Sequence, residues 1–462
     1  MYLRVCGLLG SLTRHAAFPA VPPSIGLFYP FISALADRFG GLVVQPEHRF
    51  YGASQPLGNA ATWPGTAHLS LLTPQQALAD AVALVRAVQA ERGCDGTIDG
   101  KARCPVVAVG GSYPGCLSFF ARLRYPAVFD AAYAASAPLK FFSGETSQYA
   151  YYDLVTGVAA RFQGCDKSLR AALEATLSEA AGKSEAELVK SLQLCAPLPA
   201  YVQGNVDLLR EELGMVVMYT FATLSMGNYP PGDSTAFESA CDAVNKQQAS
   251  GDSFGALRAV LLSWAAKRGA ATAAMDASAT ADACFNMSAQ LPAGANSTIS
   301  SGDWTGVGTG SDGANWDWQT CTLMVDPAAT SERSMFLPRP WSTEWLRRHC
   351  ASRFGVAPQP SLLADMWGFD SRTLQRMATS GQLTNVIFTN GLLDGWSAGG
   401  YQANLSDTVV AFNLPNGAHH SDLSHKAPGS GDTPDVLATR RSVATLLQDW
   451  LLLAEHLVVI QK

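Results

Sequence analysis

The chain has 462 residues, of which 48% are hydrophobic and 15% are charged. This balance is typical of a globular protein with a full core, and it excludes a largely disordered chain or a coiled coil. With 32 Lys and Arg residues against 38 Asp and Glu residues the net charge is −6, so nucleic acid is not an expected partner, and no apolar run is long enough to predict a membrane span.

The N-terminal segment predicts a secretion signal only weakly. Its short apolar run, residues 5–9, is at the lower limit of a signal-peptide core. Ten cysteines and three N-glycosylation sequons, at Asn286, Asn296 and Asn404, nevertheless fit an oxidising secretory route. We therefore expect a secreted protein or one of the lysosomal or vacuolar lumen.

The first part of the chain alternates strand-like apolar runs with helical patterns. Strands are predicted at residues 41–44 and 104–109. Between them a helix is predicted over 74–92, capped by Thr73. A further apolar run follows at 131–136. This alternation is the signature of a parallel sheet flanked by helices.

The pattern then changes to Ala- and Leu-rich helical stretches with little strand character. Within this part, a Gly-, Ser- and Thr-rich segment at 292–315 predicts a long surface loop. Strand-like runs return at 385–389 and 408–412, and an apolar helical stretch follows over about 436–458.

The order of these patterns predicts an α/β protein with an interrupted sheet domain. We expect its two parts at residues 1–142 and 376–462, and a mostly helical insertion over 143–375. The sheet is thus begun before the insertion and completed after it.

A glycine-rich turn follows the predicted strand that ends at Val109. Its sequence is GGSYPG, with the serine at position 112, and a predicted helix comes next. A sharp strand-turn-helix of this kind can lift a serine clear of a sheet as a nucleophile. Because Pro114 stands where a strict G-x-S-x-G pattern has glycine, a glycine-rich turn with an incidental serine is the alternative interpretation.

The loops after the last two predicted strands carry an acid and a base. Asp394 lies in the first loop, and His419, followed by a second histidine, lies in the second. Either residue alone is more often structural. The order Ser, Asp, His is that of an α/β-hydrolase triad, so the three positions together predict Ser112 as nucleophile, His419 as base and Asp394 as the acid that orients it.

Five separated motifs carry a resemblance to a known family. They are EHRFYG at 47–52, GGSYPG at 110–115, WQTCT at 318–322, the segment 390–396 with Asp394 and Trp396, and GAHH at 417–420. At these residues the sequence resembles the serine exopeptidase family that includes prolylcarboxypeptidase, dipeptidyl peptidase II and thymus-specific serine protease. The resemblance implies an α/β-hydrolase domain with an inserted helical cap, and the same triad.

The N-terminus departs from the family pattern. Relatives begin with further strands and a glycine-containing loop that is expected to supply the second oxyanion donor, so we expect the N-terminal strands of this domain to be missing. The backbone N–H of Tyr113 is the first donor, and losing one donor costs roughly 10² to 10³ in turnover. A catalytically impaired binding protein is therefore an alternative to an enzyme.

The resemblance implies hydrolysis of short peptides next to proline. Trp396 is predicted to form a wall of the apolar pocket for the pyrrolidine ring, with a buried structural Trp as the alternative. Asp317 resembles the position at which dipeptidyl peptidase II carries an acid for the substrate ammonium, although an Asp in such a stretch is ordinarily a solvated loop residue. We slightly prefer the dipeptidyl-peptidase type on this ground.

Two rival activities remain at this point. A Pro-Xaa carboxypeptidase of the same family would need a cation or donors for the substrate carboxylate. An esterase or lipase would share the triad but has no reason to carry EHRFYG and WQTCT. Short proline-containing peptides are the expected partners, and a homodimer stays open beside a monomer.

The cysteine spacing favours disulfides over metal binding. No CxxC pair and no HExxH stretch occurs, so we expect no metal and no cofactor. The family resemblance implies the pairs Cys165–Cys241, Cys195–Cys284 and Cys321–Cys350, with Cys94–Cys104 as a candidate fourth pair that leaves Cys6 and Cys116 over.

Overall fold

The structure is a computed structural model. It describes residues 2–6, 29–57, 67–94, 104–180, 182–198, 202–232, 235–268, 284–285, 310–338, 342–424 and 431–460. The sequons at Asn286 and Asn296 and most of the predicted loop at 292–315 lie outside these residues. Asn404 is described and exposed, and its side-chain oxygen accepts a hydrogen bond from the Ala411 N–H at 2.9 Å.

The described strands form one sheet in the order β2-β1-β3-β4-β5-β6. Their bounds are β1 Tyr2–Cys6, β2 Gly41–Val44, β3 Val106–Gly111, β4 Ala131–Ala135, β5 Val386–Gly391 and β6 Val409–Leu414. Strands β3 to β6 are parallel, whereas β1 is antiparallel to both of its neighbours. The predicted strands are therefore confirmed, and β1 is an element that the sequence did not predict.

The helices are numbered in chain order. They are α1 Pro30–Phe39, α2 Pro74–Glu91, α3 Tyr113–Arg124, α4 Leu139–Phe142, α5 Ala150–Ala159, α6 Cys165–Ala180, α7 Glu185–Leu192, α8 Val206–Met226, α9 Ala236–Ala249, α10 Ser253–Arg268, α11 Gly310–Thr320, α12 Thr343–Phe354, α13 Leu362–Trp367, α14 Ser371–Thr379, α15 Ser421–Ser424 and α16 Pro434–Ile460. None of the described helices is both long enough and apolar enough to cross a membrane.

Successive residues of the central strands face opposite sides of the sheet, as the two-residue period of a strand requires. In β4, Ala132 and Ala134 pack in the core that contains α2 and α3. Ala131 and Tyr133 face the other core, which contains α1 and α16. The sheet is thus buried on both faces, as expected for parallel strands.

Helices α5 to α10 share a hydrophobic core of their own. It includes Val155, Leu173, Phe221 and Phe237, and it also contains Leu393 from the loop after β5. Helices α13 and α14 instead contribute to the core on one face of the sheet. By packing, the helical region therefore ends before α13, whereas the sequence pattern changes only at about residue 375.

The three disulfides that the family resemblance implies are present, and so is the candidate fourth pair. They are Cys94–Cys104, Cys165–Cys241, Cys195–Cys284 and Cys321–Cys350, and Cys116 is a buried free cysteine. Two of them lie within the helical region: one joins α6 to α9, and the other joins Cys321, directly after α11, to α12. They stabilise the part of the chain that interrupts the sheet.

Two glycines provide a matched test of this packing. A Cβ built on Gly115 in α3 would lie 2.7 Å from the Ala135 carbonyl oxygen of β4, whereas a Cβ on Gly157 in α5 would meet no atom within 4 Å. We predict that Gly115→Ala lowers stability by about 1–3 kcal/mol because helix and strand must separate. Gly157→Ala should raise it by about 0.5–1 kcal/mol through helix propensity.

Thermal melts of the two variants beside the wild-type chain measure the difference. Equal melting temperatures for Gly115→Ala and the wild type would show that the backbone approach is not tight.

Candidate active site

Ser112 occupies a strained turn between β3 and α3. Its backbone has φ 62° and ψ −132°, in a region that a residue with a side chain rarely adopts. The Ser112 N–H donates to the Ala135 carbonyl at 2.9 Å, and its carbonyl accepts from the Cys116 N–H at 3.0 Å. This is the geometry of a nucleophile elbow.

The glycines around the serine permit that turn. A Cβ on Gly110 would lie 2.3 Å from the Pro114 carbonyl oxygen, and Gly115 faces Ala135 as described above. Gly115, one position later than in a strict G-x-S-x-G pattern, thus supplies the close approach between helix and sheet. Pro114 lies in the first turn of α3, where a missing N–H removes no helical hydrogen bond.

Asp394 and His419 form a short hydrogen bond. The Asp394 Oδ2 atom accepts from His419 Nδ1 at 2.5 Å, and Asp394 Oδ1 accepts from the Trp396 N–H at 3.1 Å. The Asp394 side chain is fully buried, and that of His419 is 8% exposed. Because Nδ1 carries the proton that Asp394 accepts, Nε2 of His419 is left to take a proton from a nucleophile.

The loops after β3, β5 and β6 meet at the carboxyl end of the sheet. A Cβ on Gly111 would lie 2.8 Å from the His420 ring, and one on Gly391 would lie 2.0 Å from the Ala418 carbonyl oxygen. In the described residues no hydrogen bond joins the Ser112 hydroxyl to His419. Catalytic hydrogen bonds are often long before a substrate binds.

His420, whose role the sequence did not predict, is a packed neutral residue. Its ring lies edge-on to Tyr29 at 5.1 Å, and its N–H donates to Ser136 Oγ at 2.9 Å. Burial, together with the neighbouring His419, lowers the pKa of His420 well below its usual value. It therefore fixes the loop that carries His419.

Asp422 anchors the same loop to the sheet. Its carboxylate accepts hydrogen bonds from Tyr133 Oη of β4 and from Thr389 Oγ1 of β5, while its carbonyl accepts from Arg440 Nε at 2.7 Å. Burial raises the pKa of the Asp422 carboxyl. This role was not predicted from the sequence, because an acid in a short polar stretch three residues after His419 gives no indication of it.

The EHRFYG and WQTCT motifs meet at the side chain of Tyr113. The Tyr113 hydroxyl lies 3.2 Å from His48 Nε2 and 2.8 Å from Gln319 Nε2, and Gln319 Oε1 accepts from Tyr51 Oη at 2.5 Å. His48 Nδ1 donates to the Arg49 carbonyl at 2.8 Å. Burial lowers the pKa of His48 to about 4, so His48 is neutral and its Nε2 accepts from Tyr113.

This network orients the residue next to Ser112. The Tyr113 hydroxyl donates to His48 and accepts from Gln319, so only one arrangement of protons satisfies all partners. Tyr113 is also the first residue of α3, where the backbone N–H has no partner within the helix and is available to an oxyanion. The prediction that the second oxyanion donor is missing concerns residues before Tyr29. Of these, the structure describes only β1.

A cavity of about 130 Å³ lies beside the predicted triad residues. Trp396 is on its wall, and its ring centroid lies 4.7 Å from that of Tyr151. Met226 is also on the wall, and its carbonyl oxygen accepts a hydrogen bond from the His419 N–H at 3.2 Å. Trp316 lies 5.1 Å from the Tyr113 ring. The cavity is therefore bounded by neighbours of all three predicted triad residues.

Asp317 also lines this cavity, but its charge is already compensated. Its carboxylate oxygens lie 3.0 and 3.1 Å from His349 Nε2, and Oδ2 lies 3.0 Å from Arg353 Nε. Asp317, Cys321 and His349 have the spacing of metal ligands. Because Cys321 is bonded to Cys350, it has no thiolate to offer, and these residues do not fit a metal.

Comparison with known proteins gives one family. Residues 24–443 match the model of the family described as serine carboxypeptidase S28. The lysosomal Pro-X carboxypeptidase of Homo sapiens is 30% identical over 434 residues, which cover 91% of this chain and 77% of the relative. The thymus-specific serine protease of Mus musculus is 25% identical over 457 residues, which cover 93% of this chain and 78% of the relative.

We predict that Tyr113→Phe slows turnover while the protein still folds. The change leaves Gln319 and His48 without their common partner and loosens the turn, so we expect kcat to fall about 10- to 100-fold. Tyr401→Phe, which removes the buried hydroxyl that donates to the Phe369 carbonyl at 2.7 Å, is the matched control and should cost a similar stability without this loss of kcat. Equal kcat in Tyr113→Phe and wild type would contradict the positioning role.

We also predict a pH dependence of stability from His48. Its pKa is lowered on folding from 6.5 to about 4, so the unfolded chain binds more protons between these values, and stability must fall as the pH drops through this window. His48→Gln keeps a donor and an acceptor but does not titrate, and it should remove about 1–3 kcal/mol of this fall. Melting temperatures between pH 4 and 7 measure it, and parallel curves for the two proteins would refute the assignment.

Proposed function

The chain belongs to the serine carboxypeptidase S28 family, and from that premise we propose that it is a proline-directed serine exopeptidase with a Ser112–His419–Asp394 triad. The observation that carries this proposal is the 2.5 Å hydrogen bond from His419 to the buried Asp394 at the sheet edge where the Ser112 elbow also lies. An esterase is less well supported, because the motifs that meet at Tyr113 are those of the peptidase family.

The mechanism follows from the proton positions. Ser112 Oγ attacks the scissile carbonyl while His419 Nε2 takes its proton, and the Tyr113 N–H donates to the developing oxyanion. His419 then gives that proton to the leaving amine, so an acyl-enzyme forms as the C–N bond breaks. Water releases the acyl group by the same route, and Asp394 stabilises the imidazolium in both steps.

The cavity supports a proline-sized apolar group. Its wall carries aromatic side chains from several elements, and Trp396, next to the triad, would pack on a pyrrolidine ring. We propose that the helical region, predicted at 143–375, is the cap of a sheet domain formed by 1–142 and 376–462. The packing of α13 and α14 on the sheet favours an earlier end of that cap.

The direction of cleavage depends on which terminal charge the cavity holds. Its described lining contains the acids Asp317 and Asp326 and one histidine, His349, that already donates to Asp317. An acidic lining favours a free α-ammonium, so we propose the dipeptidyl-peptidase type. The Pro-Xaa carboxypeptidase is the second candidate, because the relatives at 30% identity have that name.

The same relatives favour a lysosomal lumen for this chain. Short proline-containing peptides are its proposed partners, and a homodimer stays a prediction.

We predict that a fluorophosphonate labels Ser112. Ser112→Ala should abolish labelling and lower turnover by roughly 10⁴-fold or more with an unchanged melting temperature. Ser380→Ala, at an exposed serine after α14, is the matched control and should label normally. Peptide mapping that finds the label on another serine, with Ser112 unmodified, would overturn the assignment.

A further inference from the structure

The cavity beside the triad contains two carboxylates in different electrostatic states. Asp317 is bonded to His349 and Arg353, so it faces the cavity as part of a compensated cluster. Residues of α11 and α12 form that cluster, and the disulfide Cys321–Cys350 links the same two segments. Asp317 therefore holds one wall of the cavity together and has little charge to offer a ligand.

Asp326 is the second carboxylate. It is half-buried and lines the cavity. In the part of the chain that the structure describes, no hydrogen bond from another residue and no ion pair reaches its carboxylate. An acid in a partly enclosed cavity is stabilised when a ligand supplies a positive charge beside it.

The rest of the lining suits a cation. Six aromatic residues are part of the wall, namely Tyr151, Tyr152, Tyr219, Trp316, Trp345 and Trp396. The faces of such rings attract an ammonium group through their quadrupoles. A carboxylate ligand would instead face an uncompensated acid in the same small space.

We propose that Asp326, and not Asp317, accepts the free α-ammonium of the substrate. This inference rests on the proposed exopeptidase function and assigns the residue that recognises the terminal charge of the substrate. Asp317 is then a positioning residue that keeps α11 and α12 together behind the cavity.

The protonation behaviour of Asp326 agrees with this role. Burial raises the pKa of the Asp326 carboxyl to about 7, as expected for an acid with no positive neighbour among the described residues. Perturbed acids of this kind cluster at functional sites. An ammonium bound at the carboxylate would supply the charge that its surroundings lack.

The experiment uses the full chain with Ser112→Ala, so that binding is measured without turnover. The ligands are Ala-Pro amide and its N-acetyl derivative, which differ only in the terminal charge, and the tryptophans of the cavity report binding by their fluorescence. We expect the free amine to bind roughly 10- to 100-fold more tightly. Asp326→Asn should abolish this preference, and Asp326→Glu should restore part of it.

Asp317→Asn is the matched variant. It should keep the preference for the free amine but lower the melting temperature, because Arg353 and His349 lose a buried partner. Asp326→Asn should melt at the same temperature as its parent or higher at pH 8, since it removes an uncompensated charge. If Asp326→Asn keeps the preference, or if the parent binds both ligands equally, the assignment is overturned.

Turnover distinguishes this failure from failure of the proposed function. The active chain should cleave Ala-Pro-reporter and reject its N-acetyl form. Cleavage of N-blocked peptides that end in Pro-Xaa, with Ala-Pro-reporter refused, would overturn the proposed direction of cleavage. The binding preference of the Ser112→Ala chain still decides the role of Asp326 in that case.

Discussion

The close approach of three loops at the carboxyl end of the parallel strands is the constraint on which the site depends. Gly111 faces the His420 ring, Gly391 faces the Ala418 carbonyl, and Gly115 faces the Ala135 carbonyl, each at a distance that leaves no room for a Cβ. Parallel strands end at one edge of a sheet, so loops distant in sequence meet there. The geometry of the proposed triad therefore depends first on the packing of the backbone and only then on the side chains.

Buried polar groups then fix the side chains in single states. His48 and His420 are held neutral by burial, and Asp422 is held by the hydroxyls of β4 and β5. The partners of these three side chains leave few alternative positions for their protons. The side chains therefore orient the residues beside Ser112 and His419. The cost of burying these groups is offset by satisfying their hydrogen bonds.

The parts of the fold and site that follow short-range patterns could be predicted from the sequence. Strand runs, the strained GGSYPG turn and the order of Ser112, Asp394 and His419 are local signals tied to a known topology. The partners of Asp317 could not be predicted, because His349 and Arg353 come from another helix and their side chains meet it only in the folded chain. For the same reason, nothing local marked Asp326, and the packing of α13 and α14 against the sheet was hidden by their helical pattern.

A motif match locates an acid but does not determine its charge balance. Asp317 occupies the position that resembles an ammonium-binding one, yet a carboxylate shared with a guanidinium and an imidazole attracts a further cation only weakly. Another acid of the same cavity, with no counter-charge among the described residues, is the better partner for a cation. If the proposal above holds, the direction of cleavage depends on which cavity acid lacks a counter-charge after folding, and among the described residues that acid is Asp326.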